Sequence, residues 1–310
     1  MRSLLALALV AVVTGCAMVP PAPAPAPTPT VSAAPVMAWP ALLSRPRPLP
    51  TRTVAYGTDP LQVADLWLPA GRGPHPTVLM VHGGCWTTEI ADRSIMNWIA
   101  DDLAKRGIAV WNIDYRGVDR GGGYPGTFHD AAAAADALRA QAKVANLDLR
   151  PLVAVGHSAG GHLALWLAAR PRLPKDSALR TANPLPIHHV VSLGGLPDLE
   201  QARAEKQGCG AEVIDRLVGP PTFSSRRVYA DTSIPRLAPL GVRQTLVNGD
   251  SDRIIPTHFA STYAAAMRAK GDRVTVNVIP GQGHVELIAP ETPAWSAAVA
   301  AIEKALGRRR

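Results

Sequence analysis

Cysteine is scarce here, three residues in 310, and neither Cys16, Cys85 and Cys209 nor the nine histidines fall at metal-ligand spacing. That leaves no basis for a structural or catalytic metal, and none is expected. No apolar run is long enough to cross a bilayer, and no internal repeat points to a solenoid or propeller. Acidic residues are outnumbered 24 to 32, giving a net charge of +8. The basic residues are scattered, however, with only Arg308-Arg309-Arg310 clustered and no recognition motif beside them, so no nucleic-acid partner is expected.

What the chain does have begins at its start. Arg2 precedes the apolar Leu4 to Val13 and then Thr14-Gly15-Cys16, a charged region, a short apolar region and a small-residue cleavage site. Val13-Thr14-Gly15-Cys16 resembles a bacterial lipobox, which implies a signal over 1–15, a lipid on Cys16, and a protein of the cell envelope facing the periplasm. Prolines at 20, 21, 23, 25, 27 and 29 alternate with Ala and Thr, and 16–50 reads as a stiff extended tether. The lipid would be the sole membrane contact.

The remainder, 51–310, has the length and the 47% apolar content of one large domain. Leu61 to Leu68 alternates like an edge strand, and Thr77 to Val81 is a continuous apolar strand. Helix Ile95 to Arg106, strand Ile108 to Ile113, helix Phe128 to Lys143, strand Leu152 to Val155 and helix Ala159 to Arg170 follow. Strands His189 to Leu193, Gln244 to Val247 and Val274 to Ile279, with helices His258 to Lys270 and Pro293 to Leu306, complete the alternation. Such alternation predicts a mostly parallel, doubly wound α/β sheet of about eight strands flanked by helices. The polar, Pro/Gly-rich stretch 196–241 breaks the rhythm and reads as a lid or cap excursion over the C-terminal edge of the sheet.

Ser158 lies in Gly156-His157-Ser158-Ala159-Gly160, between a buried strand and a helix. A G-x-S-x-G sequence in that context makes a tight strand-to-helix turn that lifts the hydroxyl clear of the sheet. A serine needs a positioned base. His284, in a Gly-rich loop after the last strand, is that base; His157, His162, His188 and His189 read as structural. The acid that orients it is Asp252, with Asp250 the competing carboxylate two residues earlier. His82-Gly83-Gly84 follows a strand, so the N–H groups of Gly83, Gly84 and Ala159 are the candidate oxyanion donors, with His82 bracing the loop. Gly121-Gly122-Gly123-Tyr124-Pro125-Gly126 fits a dinucleotide pattern but stands too far from its strand, and Pro125 removes an N–H from any phosphate cradle.

Together with Ile113-Asp114-Tyr115-Arg116 and Gly283-His284-Val285-Glu286-Leu287, these motifs resemble α/β-hydrolases of the H-G-G esterase/lipase group. The branch is that of carboxylesterases, feruloyl-esterase-like proteins and kynurenine formamidases. The resemblance implies hydrolysis of small or medium carboxylic esters through an acyl-enzyme, without a cofactor. An arylformamidase acting on amides is the alternative, and a noncatalytic envelope lipoprotein on a hydrolase scaffold a third. Trp86 and Trp111 are candidate pocket residues. Cys85 and Cys209 either form a bridge reaching over the site mouth, or Cys85 is a small buried residue without a partner.

Overall fold

The computed structural model describes residues 35–220 and 228–308. The expected signal, the expected lipid site at Cys16 and Arg309-Arg310 lie outside the described residues. Along the described chain run α1 (Trp39–Leu43), β1 (Arg52–Ala55), β2 (Val63–Trp67), β3 (His75–Val81), α2 (Asn97–Lys105) and β4 (Ala109–Ile113). Next come α3 (Gly126–Ala145), β5 (Leu147–His157), α4 (Ala159–Ala169), β6 (His189–Leu193), α5 (Leu199–Glu205) and α6 (Ala211–Val218). The last elements are β7 (Arg243–Gly249), α7 (His258–Ala269), β8 (Arg273–Ile279) and α8 (Pro293–Ala305).

The eight strands form one sheet in the order β1-β2-β4-β3-β5-β6-β7-β8, parallel from β4 to β8 and antiparallel at the β1–β2 edge. This is the mostly parallel, doubly wound α/β sheet that the alternation predicted. Successive side chains of a strand point to opposite faces, and the central strands are apolar on both. In β3, Leu79 and Val81 enter the core under α3, α4 and α7, while Val78 and Met80 enter the core under α2 and α8. Helix α4 is buried along its whole length, which explains why Leu163 to Leu167 carries no polar stripe.

Two sequence expectations change. Strand β2 is not the edge, because Arg52↔Leu66 to Ala55↔Val63 pair β1 outside it. With only Val54 partly buried, β1 carries no alternating apolar signal. The tether does not reach residue 50: within the described part, Leu42 of α1 is fully buried in the α2/α8 core, and Trp98 Nε1–H and Asn97 Nδ2–H donate to the carbonyls of Pro46 and Pro48 at 3.0 and 2.9 Å. The described part of 196–241 is strapped to α4: Trp166 Nε1–H and His162 Nε2–H each donate at 2.8 Å to the carbonyls of Asp231 and Thr232. The amphipathic α6 buries Ile214, Leu217 and Val218, and Arg216 Nη2–H donates to the Val118 carbonyl at 2.8 Å.

One covalent link ties this excursion to the rest. Cys85 and Cys209 form a disulfide with 5.2 Å between Cα atoms and 124 residues of separation. Closing so long a loop removes much chain entropy from the unfolded state, so the Cys85→Ser, Cys209→Ser double variant is expected to lose about 2–4 kcal/mol in urea unfolding. An unchanged midpoint would show that the bridge carries no stability.

His162, enclosed by the edges of Trp86 and Phe128, is pushed down to about 4 by burial, with its bond to the Thr232 carbonyl opposing the shift only in part. The unfolded chain therefore binds more protons between about 6.5 and about 4, and stability falls as pH drops through that window. Urea unfolding at pH 7 and pH 4.5 is expected to show a smaller difference for His162→Gln than for the parent; equal differences would contradict the assignment.

Candidate active site

Ser158 joins β5 to α4 with φ 53° and ψ −124°, a strained conformation for a residue with a side chain. It is held by two backbone bonds, Ser158 N–H to the Leu193 carbonyl and Gly161 N–H to the Ser158 carbonyl, both 2.8 Å. The flanking glycines are required by proximity: a Cβ on Gly156 would lie 2.0 Å from the Gly160 carbonyl oxygen, and one on Gly160 would lie 2.2 Å from that of Val81. The turn thereby presses the serine against the end of β3, where the His82-Gly83-Gly84 loop begins.

His284 follows β8, and Asp252 follows β7. Their Nδ1 and Oδ2 atoms are 2.6 Å apart in a buried setting, with His284 donating. The other Asp252 oxygen accepts from the N–H groups of Ile254 and Ile255, each at 2.8 Å, so the carboxylate is fixed by three donors. Asp250 is exposed and does something else: its Oδ1 accepts from Gly281 N–H at 2.7 Å, pinning the loop that bears the histidine. Of the two competing acids, the structure brings Asp252 to the imidazole. Ser158 and His284 line one cavity of about 470 Å³.

Gly84 lines the same cavity with φ +99°, and Gly83 abuts Ser158, since a Cβ there would stand 2.9 Å from that of Ser158. Ala159 follows at the start of α4. Cys85 and Trp86 continue the loop in the left-handed region, with φ 50° and 52°. The loop is braced from behind, where His82 stacks on Tyr115 at 4.3 Å, its Nδ1–H donates to the Gly83 carbonyl at 2.7 Å, and its Nε2 meets Asp114 at 3.0 Å. Burial alone would raise the Asp114 pKa; hydrogen bonds from His82 and Arg93 outweigh it and hold the carboxyl below its ordinary value.

Trp86 and Trp111 are corrected from pocket to core. Both are fully buried, and Trp111 Nε1–H donates to the Ala134 carbonyl at 2.8 Å beneath the α3 face. The wall that sequence reasoning missed is the arm at 35–50. Trp39, Leu43 and Arg47 line the cavity, and the Trp39 indole meets the rings of His157 and His284 edge-on at 6.3 and 6.4 Å. Buried Glu286 staples the arm to the histidine loop, accepting from Met37 N–H with one oxygen and from Gly283 N–H at 3.1 Å with the other. A usable signal was present in Trp39-Pro40-Ala41-Leu42-Leu43, where proline stands in the first helical turn before an apolar pair.

His157 supports the same loop. Burial, with the charge of neighbouring His284 adding to it, pushes its pKa well down, and the neutral ring donates Nε2–H to the His284 carbonyl at 3.1 Å. His162, His188 and His189 also have structural partners: His188 Nδ1 accepts from Leu152 N–H at 3.1 Å, and His189 Nε2 meets Thr245 Oγ1 at 2.9 Å.

Residues 64–267 match the BD-FAE family model, a stretch that contains Ser158 and Asp252 and stops before His284. Esterase LipC of Mycobacterium tuberculosis is 28% identical over 242 residues, covering 75% of this chain; the chain spans 59% of the length of that relative. Monoacylglycerol lipase of Mycolicibacterium smegmatis is 26% identical over 253 residues, covering 74% of this chain and 88% of the relative. Among solved structures, esterase B from Lactobacillus Rhamnosis superposes with TM-score 0.70 at 19% identity, covering 86% and 90% of the two chains. Butyrate-bound esterase 2 of Thermogutta terrifontis gives TM-score 0.62 at 19% identity over 83% and 93%.

The geometry separates the two acids by experiment. Asp252→Asn is expected to lower kcat for p-nitrophenyl butyrate by about 10⁴-fold, through loss of the imidazole's tautomer and charge partner. Asp250→Asn, which weakens the hydrogen bonds accepted from Gly281 N–H and Ser251 Oγ–H, is expected to stay within about tenfold of the parent. The reverse order would reassign the acid.

Proposed function

Because the chain belongs to the BD-FAE family, we propose that it is a serine hydrolase of small or medium carboxylic esters, acting through an acyl-enzyme on Ser158. The observation that carries this reading is the buried 2.6 Å contact of His284 with Asp252 at the rim of the cavity that Ser158 shares. With Nδ1–H committed to the carboxylate, Nε2 is the nitrogen left to act as base.

His284 Nε2 takes the Ser158 proton as Oγ bonds to the ester carbonyl carbon. The negative charge that develops on the carbonyl oxygen is met by the N–H groups of Ala159, Gly84 and Gly83, each such donor being worth about 3 kcal/mol in the transition state. Asp252 offsets the charge on the imidazolium. Collapse breaks the bond to the alcohol, which leaves with the proton from Nε2. Water then attacks the acyl-enzyme with the same histidine as base, and Ser158 is restored when the acid departs.

Ester rather than formamide chemistry is favoured by the relatives, named as an esterase and a monoacylglycerol lipase. The cavity of about 470 Å³, with Ile90, Ile95 and Ile254 among its walls, suits an apolar acyl or alcohol group. Export to the periplasmic side of the envelope, with a lipid on Cys16, belongs to the same reading and is supported by the sequence of 1–16 alone.

Ser158→Ala is expected to cut p-nitrophenyl acetate turnover by about 10⁴-fold or more while leaving the circular dichroism spectrum unchanged. Activity close to the parent's would end the assignment. Turnover of N-formylkynurenine faster than of p-nitrophenyl butyrate would move the reading to amide hydrolysis.

A further inference from the structure

Exposed large apolar side chains are few among the described residues, and they are not scattered. Of seven, Leu43, Ile90 and Ile254 line the catalytic cavity, while Val36 and Leu49 sit on the arm that walls it; Val144 and Val278 lie elsewhere. Leu49 is 84% exposed and Ile90 63%. Isolated exposed leucines need no explanation, but a collar of them around one opening does.

The collar is rigid. On one bank, Pro46 and Pro48 are bonded to Trp98 and Asn97, and Arg47 Nη1–H donates to Ser94 Oγ at 2.8 Å, so Leu49 is held away from the core. On the other bank, Asp119 accepts from the N–H groups of Thr88 and Glu89 at 2.8 and 3.0 Å, which fixes the turn that presents Ile90. Ile254 gives its N–H to Asp252, so its apolar side chain stands at the mouth because its backbone orients the catalytic acid.

We propose that this collar docks the mouth of the cavity on a lipid bilayer surface, from which the ester enters. Three features favour a bilayer as the occupant. Three of the apolar groups, Leu43, Ile90 and Ile254, line a cavity, rather than forming a flat patch. The net charge of +8 favours an anionic surface over a neutral one, and Arg45 and Arg47 accompany the collar on the arm, opposed by Glu89 and Asp92 among the residues that line the cavity. In sequence, this arm follows the segment that predicts a lipid on Cys16. Entry of an ester rests on the hydrolase reading; attachment to the surface does not.

Hydrogen–deuterium exchange of the full chain, with and without vesicles of phosphatidylcholine and phosphatidylglycerol, tests the proposal, because it reads the collar separately from any N-terminal anchor. Residues 42–50, 88–91 and 253–255 are expected to slow by about threefold or more on vesicles, with 143–145 and 277–279 unchanged. Leu49→Asp, outside the cavity, is expected to lose most of that protection while hydrolysing p-nitrophenyl acetate at the parent's rate. Unchanged exchange at the collar, whether the protein is on the vesicles or in solution, overturns the proposal, as does full protection in Leu49→Asp. Protection that needs no vesicles and grows with protein concentration would assign the collar to a second copy and equally overturn it. A parent chain that docks but leaves p-nitrophenyl acetate intact would strike the hydrolase reading and leave the docking in place.

Discussion

The site depends on the close passage of two loops, one after β7 and one after β8, that bring Asp252 against His284. The two strands pair in register from Arg243↔Arg273 to Gly249↔Ile279, and the loops continue that pairing beyond the sheet. Gly249 makes the approach possible, since a Cβ there would lie 1.9 Å from the Gln282 carbonyl oxygen. Ser251 N–H donates to that same carbonyl at 3.0 Å, and Asp250 holds Gly281 from the other side. The carboxylate and the imidazole are thus positioned by backbone contacts before any ligand arrives, a form of preorganisation that spares the reaction the cost of assembling them.

From that pair the constraints spread outward. Glu286, two residues past His284, bonds the histidine loop to the arm, and the arm supplies Trp39 and Leu43 to the cavity wall. On the far side, His82 and Asp114 brace the Gly83-Gly84 loop, and the Cys85–Cys209 bridge binds its continuation to the excursion on α4. Two segments distant in sequence, the arm and the excursion, therefore act on the site by different means. The arm lines the mouth, whereas the excursion is bonded to the loop through Cys85 and to α4 through Trp166 and His162.

Legibility in the sequence followed local signal strength. Strands β3, β5 and β6 and the turn at Ser158 could be read because burial on both faces writes a continuous apolar run, and because a turn this tight admits only small residues at Gly156 and Gly160. His284 and Asp252 were expected after strands at one edge of a parallel sheet, and their side chains meet there at 2.6 Å. Strand β1 was not, because an exposed edge strand needs no alternation. The arm was hidden by its prolines: Pro40 and the pair Pro46 and Pro48 look like a continuing extended tether, yet one starts a helix and the others offer carbonyls to α2. Trp86 and Trp111 were misplaced because nothing in the local sequence says which way a tryptophan at a strand end turns. Here both turn inward beneath α3 and α4.

Mass spectrometry of the folded protein after treatment with a fluorophosphonate tests the central claim most directly, because the reagent bonds only to a hydroxyl that a neighbouring base has activated. One adduct is expected, on the peptide that contains Ser158. Adducts confined to another residue, or none on a protein whose spectrum remains native, would contradict the account.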